Sequence, residues 1–477
     1  MPFPSSSARG QSRTREGNLR SDHNRPRILS GYVVALSVIA GLVNVLYWSG
    51  RQQPDDWSSL WIAGVLVKNG NSAHIYDFDP IDFAAWSGPA WQKVIETNEL
   101  SPYPHPFVHI PGVAYIIAPF THFLSFEDSV MCLTALCGAC LPLLVSASWT
   151  LWSRTTLPLH ILLAATIAAW YTTAFQTGMW LGQTTPIILT MTVCGIAAAR
   201  HHPLTAGVLL GLAGIVKLTP LGLIPLMLVF RHYRRSAVAT TVTAALAALA
   251  SLTVGGRELF ATWLDRIHRL SDSVVVSGAN RSFASAALRD KSTAGPVAPL
   301  VDDIPNFVSV IPIAIAVILF AAIIWAASRQ HQQAAPLILI GAYATATATS
   351  SLMWHHYLLI CTPLAIGIAV HSQHLTSGVR EIFRVLLLVT LLLLYPPLND
   401  DFIPVLSLHG LPLSGLALPW AGFTALVSLI ALLAVSAAAP PRSQQVVPVE
   451  PGKISTTPRR KGGKHAKPKN SLWRRMQ

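Results

Sequence analysis

Apolar residues run along this chain in blocks of about 17–25, the length a helix needs to cross roughly 30 Å of hydrocarbon. The first block, 31–49, predicts a span. A polar segment, 50–106, follows it. The next apolar stretch, 107–123, is short and broken by Pro111 and Pro119, with Pro106 just before it. If it crossed, every later basic loop would change sides, so it is read as an interfacial or re-entrant helix. Spans are predicted near 128–151, 158–175 and 185–199. Residues 203–230 read as two short helices broken at Lys217-Leu218-Thr219-Pro220. A span at 236–254 leads to a second polar segment, 255–305. Spans near 306–327, 334–350, 357–371, 385–398 and 414–438 then make about twelve crossings. The expected fold class is an all-α polytopic bundle.

Composition agrees with this reading. The chain is 52% hydrophobic and 12% charged, where soluble proteins carry roughly 25% charged residues. Its net charge of +13 raises nucleic acid as a partner, but the distribution argues otherwise. Residues 1–29 hold six Arg against two acidic residues, and 440–477 hold ten Lys and Arg against one Glu. The remaining cations sit mostly in short loops, among them Arg154, Arg200, Arg231, Arg234, Arg235, Arg329, Arg380 and Arg384. This is the positive-inside pattern. It puts both termini in the cytoplasm and 50–106 and 255–305 outside, in a multi-pass plasma-membrane protein. The expected organisation is a basic segment at 1–29, a transmembrane domain at 30–439 and a basic disordered tail at 440–477, anchored on anionic lipid. The five cysteines all lie in apolar stretches, which argues against a disulfide framework or a metal site. Leu46-Tyr47-Trp48 is too bulky for a signal-peptide cleavage site.

Five groups of chemically capable residues converge on the external face in this topology. Asp55-Asp56 opens a helix expected to be amphipathic and to lie on the membrane surface. Asp56 reads both as a helix cap and as a general base. Gly182-Gln183 lies in a turn, where Gln183 either bonds a sugar or phosphate oxygen or caps the next helix. Lys217 interrupts a helix at membrane depth. An ionisable group there is a functional candidate, suited to phosphate as a point charge, with snorkelling to the interface as the plainer reading. Asn280-Arg281-Ser282, with Arg289 beyond, suits an anionic ligand, and equally pairing with Asp290 or lipid head groups. His355 and His356, in Trp354-His355-His356-Tyr357, point about 100° apart on a helix, a poor metal pair.

The order of these motifs resembles glycosyltransferase family 87. Asp56-Trp57 through Gly64, then Gly70 and Ile75-Tyr76-Asp77, is similar to the family's opening. Pro102-Tyr103-Pro104-His105-Pro106 resembles its Tyr-Pro-Pro run, with His105 interrupting the Pro pair. Ala118-Pro119-Phe120 is similar to its Ala-Pro-Leu. Gly182-Gln183, Ala206-Gly207 to Leu212 with Lys217-Leu218-Thr219-Pro220, Asn280-Arg281-Ser282-Phe283 and Trp354-His355-His356 follow in the family's order.

The resemblance implies a GT-C fold with membrane-surface helices in the first external loop. It implies transfer of a sugar from a polyprenyl-phosphate donor to a lipoglycan or cell-wall glycan on the extracytoplasmic side. Mannose is the expected sugar, and decaprenyl-phosphate arabinofuranose the alternative donor. It places the catalytic carboxylate at Asp56. The expected reaction inverts the anomeric centre. Lys217, with Arg281 or Arg289, holds the phosphate, and Gln183, Asn280 and His355 or His356 orient the sugar. No cofactor is expected, although Asp55 beside Asp56 leaves a divalent ion open. The expected partners are the lipid-linked donor, the glycan acceptor and membrane lipids. The reading from another class is a non-enzymatic flippase of lipid-linked glycans.

Overall fold

The computed structural model describes residues 28–77, 83, 88–100, 104–153, 155–289, 298–395 and 418–439. The basic tail expected at 440–477 lies outside these residues, as do all but the last two residues of the segment expected at 1–29. So do 101–103, Arg154 and Asp290. The described residues belong to one compact unit.

The protein is an all-α membrane protein. Five described helices are long and apolar enough to cross a bilayer. They are α1 (Gly31–Trp48), α5 (Phe126–Ser153), α11 (Arg234–Asp272), α13 (Asn306–Arg329) and α17 (Ala421–Ala438). Shorter apolar helices fill the bundle between them: α6 (Leu159–Trp170), α8 (Thr185–Ala198), α9 (Pro203–Val216), α10 (Ile224–Val229) and α14 (Ala334–Thr349). Helix α7 (Thr173–Trp180) follows α6 after a break at Tyr171-Thr172, where a single span was expected. Helix α15 (Cys361–Ser372) continues a 3₁₀ turn at His355–Ile360. Helix α16 (Ser377–Leu392) begins eight residues before the expected span at 385. Sheet is confined, among the described residues, to antiparallel β1 (Val274–Val275) and β2 (Leu300–Val301).

Packing follows from where small residues fall. Helices α9 and α11 touch through Gly207 and Gly211: a Cβ on Gly207 would sit 2.2 Å from the Ala239 Cβ, and one on Gly211 would sit 2.6 Å from Thr243. Helices α1 and α5 meet in the same way at Gly41 and Gly138. Small residues let apolar helices approach where lipid provides no hydrophobic drive. The large side chains left outside, Val34, Val38, Leu42 and Leu46 on α1 and Val310, Ile313 and Val317 on α13, are exposed and suit acyl chains.

The segment after α1 folds as a layer with its own core. It holds α2 (Asp55–Lys68), α3 (Pro89–Thr97), α4 (Pro111–Ile117) and a 3₁₀ turn at Ala118–His122. At about 1.5 Å per residue, the seven residues of α4 are far too short to cross. Trp61, Ile62, Trp91, Phe107 and Val113 pack with Leu259 and Trp263 from the far half of α11. That half turns away at Gly256, whose φ of +78° interrupts the helix. Helix α2 corrects one expectation. It is not amphipathic: Ser58, Ser59, Leu60, Trp61, Ile62, Ala63 and Gly64 are all buried. Its small residues are covered by α4 and the turn after it, since a Cβ on Gly64 would meet Ile117 at 2.7 Å.

Candidate active site

Asp56 sits in the first turn of α2, and Pro54, not an Asp, occupies the cap position, with no capping side-chain bond. The capping reading of Asp56 is thereby replaced. Its backbone N–H donates to Leu181 O at 3.0 Å, and Gln53 N–H donates to Trp180 O at 2.9 Å. These bonds fasten the start of α2 to the Gly182 turn. Gly182 has φ +69°, and a Cβ there would lie 2.8 Å from the Trp57 Cβ. Glycine meets both demands, a left-handed backbone and a close approach. The turn then aims Gln183 at Asp56.

The Asp56 carboxylate is 15% exposed and bonds His105 through Oδ1 to Nδ1. The Gln183 side chain lies beside it and favours its charged form. Burial pushes the Asp56 carboxyl up, but the His105 charge and hydrogen bond, the Gln183 side chain and the Lys217 charge outweigh it. The carboxyl is held below its ordinary 3.8. His105 moves the other way. Burial pushes it down, and Asp56, then Asp55, hold it above its ordinary 6.5. Asp55 itself takes a hydrogen bond from Gln53 Nε2 at 3.0 Å.

Lys217 leaves helix α9 with extended backbone (φ −135°, ψ 118°), because Thr219-Pro220 begins a new 3₁₀ turn. Its ammonium donates to Gln183 Oε1 at 3.2 Å and to Thr185 Oγ1 at 2.6 Å, and lies 4.6 Å from the Tyr357 ring centroid. Thr185 Oγ1 is 2.6 Å from His356 Nδ1. Hydrogen bonds therefore run from Gln183 through Lys217 and Thr185 to His356, and the His105–Asp56 pair lies beside Gln183. Beside Lys217 lies a small cleft lined by Thr185, Ile188, Leu189, Thr219, Tyr343, Thr347 and Tyr357.

The structure divides the other expected residues. His356 joins the chain just described, whereas His355 bonds the Arg281 Nε through its Nε2. Both histidines and Arg281 are buried. Asn280 donates to Val275 O (2.7 Å) and Ser351 O (3.0 Å), and its oxygen accepts from Ser282 N–H (3.1 Å) and Met353 N–H (2.9 Å). All four bonds an amide offers go to backbone, so its geometry is that of a brace between 275–282 and 351–353. Arg289 is exposed at the end of the short helix α12 (Phe283–Ala287). Among the described residues, no three His, Cys, Asp or Glu side chains are grouped to hold a metal ion.

Three participants went unassigned in the sequence: His105, Thr185 and Tyr357. His105 and Tyr357 stood inside motifs already noted, His105 as the odd residue in a Pro run. His109 is a fourth neighbour of the site, its Nδ1 2.8 Å from Val216 O.

A carboxylate bonded to an imidazole, with an amide beside it and a half-buried ammonium next to a cleft, is an arrangement that can accept a proton and hold an anion. No curated protein and no solved structure matches the chain. The sequence profile of glycosyltransferase family 87, however, matches residues 107–363, more than half of the length. That stretch contains the Gly182-Gln183 turn, Lys217 and His356. The chain belongs to glycosyltransferase family 87.

Proposed function

We propose that this glycosyltransferase moves mannose from a polyprenyl-phosphate donor to a lipoglycan or cell-envelope glycan, with inversion, on the extracytoplasmic face of the plasma membrane. The reading includes about twelve crossings in a GT-C arrangement and cytoplasmic termini. The observation that carries it is the position of Lys217. Its ammonium stands at a cleft with apolar walls at Ile188 and Leu189 and bonds Gln183, the side chain that lies beside Asp56. A lipid phosphate has both features, an anion and an apolar chain.

In the reaction the acceptor oxygen forms its bond to the anomeric carbon as the bond from that carbon to the phosphate oxygen breaks. The electron pair leaves with the phosphate, and Lys217 stabilises the growing charge. The acceptor hydroxyl gives up its proton to a base built on Asp56, a contribution of roughly 10²–10⁴-fold. Gln183 bonds Lys217 and lies beside Asp56, so the positions of base and phosphate are set together. His356, through Thr185, orients the ammonium.

The test is sugar transfer in vesicles holding the full chain, with radiolabelled polyprenyl-phosphate mannose and, separately, decaprenyl-phosphate arabinofuranose. Labelled glycan from the mannose donor is expected. Labelled glycan from the arabinose donor alone would replace mannose. Movement of label across the membrane without a new glycan would make the chain a flippase. For topology, a Cys placed at Asn71 is expected to react with an impermeant reagent from outside, and one at Lys464 is not.

A further inference from the structure

The structure brings His105 onto Asp56 across 49 residues of sequence, and His105 is the residue that departs from the family's Tyr-Pro-Pro run. The imidazole ring lies nearly parallel to Trp354 (10° between planes, centroids 6.4 Å apart), with the Phe83 ring 6.0 Å away. Trp354 is itself bridged to Asn280, so the ring rests on a braced wall. Nδ1 is committed to Asp56. Nε2 bonds no described residue, and the side chain is 22% exposed. Asp56, by contrast, is already engaged by His105 and Gln183 and faces the Lys217 charge. A carboxylate so well satisfied is a weak proton acceptor.

We propose that His105 and Asp56 act as one dyad, in which the acceptor's proton lands on His105 Nε2 and Asp56 fixes the ring and balances the imidazolium charge. This rests on the transferase reading above and names the accepting atom within it. The balance is simple. The hydroxyl O–H bond breaks, its proton joins the Nε2 lone pair, and the freed oxygen pair forms the new glycosidic bond. The phosphate carries away the pair from the bond it leaves. Neutral imidazole with Nδ1–H on the carboxylate is the competent form, the tautomer a carboxylate partner selects. The charged and titratable groups acting on the ring are Asp56 and Asp55 on α2, and His356 on the 355–360 turn.

The experiment is the pH dependence of kcat/KM for transfer from radiolabelled polyprenyl-phosphate mannose in vesicles, for the wild-type chain, His105→Gln and His105→Ala. Because the imidazole must be neutral, the wild-type rate is expected to fall on the acid side with a midpoint above 6.5. His105→Gln is expected to lose about 10²-fold or more and the acid limb with it. Added imidazole is expected to restore part of the rate of His105→Ala. A wild-type rate level from about pH 8 to about pH 5, outside the range of a histidine near its ordinary value, would give the proton to the carboxylate and overturn the proposal. So would a rate that falls as pH rises through the histidine range, which would make His105 a cationic clamp. Normal transfer by His105→Gln would overturn it as well. No transfer by the wild-type chain at any pH overturns the donor reading together with this proposal, whereas transfer without the acid limb overturns this proposal alone.

Discussion

Two polar clusters meet near Trp354, and they are built on opposite plans. In the first, Asn280 is saturated by four backbone partners, and Arg281 closes on His355 in a buried pair. In the second, Gln183, Lys217, Thr185 and His356 bond one another by side chain, with a cleft and the Asp56–His105 pair beside them. A side chain bound to backbone cannot change partners without opening the fold, because the abandoned N–H or C=O is left buried and unsatisfied. A side chain bound to another side chain can exchange that partner for a ligand at small cost. The bonding plan marks Asn280 as a brace and the second cluster as the candidate reaction site, while Arg281, bonded to His355 side chain to side chain, is not set apart by it.

The strongest challenge to this contrast is Asp56→Asn. It keeps the shape of the side chain and one accepting oxygen for His105, so insertion and thermal midpoint should stay near wild type. The transfer rate should fall by about 10²-fold or more. A near-normal rate would move the chemistry elsewhere. Lys217→Met comes next. It removes charge-assisted hydrogen bonds worth roughly 1.5–3 kcal/mol, which corresponds to about 10- to 100-fold, expected chiefly as weaker donor binding. Lys217→Arg should recover part of it. Unchanged donor affinity in Lys217→Met would restore the snorkelling reading.

Asn280→Ala probes the opposite cluster. It should lower the thermal midpoint, with a cost of about 1–3 kcal/mol for each backbone group left unpaired, and should change the rate of the folded fraction much less. A large rate loss without destabilisation would place Asn280 on the substrate instead. The smallest effect is expected from Arg289→Ala. A surface substitution of this kind is usually within about ±0.5 kcal/mol, and donor affinity should not move. Weakened donor binding would bring Arg289 back as a phosphate ligand.

The sequence by itself determined most of the helices and the break at Lys217, although not the break at Tyr171-Thr172. A span is written in local composition, and Lys217-Leu218-Thr219-Pro220 stops a helix because a proline has no N–H to donate and its ring clashes with the preceding turn. The shortness of the helix in the 107–123 stretch was legible from its prolines. Asp56, Gln183, Lys217 and His356 were visible because each is a polar residue at a place where apolar spacing demands a reason.

What only the tertiary structure decided rests on partners distant in the chain. The burial of α2 could not be read from its own pattern. Ser58 and Ser59 look solvent-facing, yet Ser58 satisfies its hydroxyl on Pro54 O at 2.9 Å, and α4 and the 118–122 turn cover the helix. The division of His355 from His356 turns on Arg281, 74 residues earlier, and on Thr185, 171 residues earlier. The bracing role of Asn280 turns on Met353, 73 residues later. His105 acquires its meaning only from the carboxylate that α2 presents to it. Local sequence encodes length, apolarity and breaks. Which side chain satisfies which is fixed by packing, because a hydrogen bond needs its partner within about 3 Å, and sequence separation does not measure that distance.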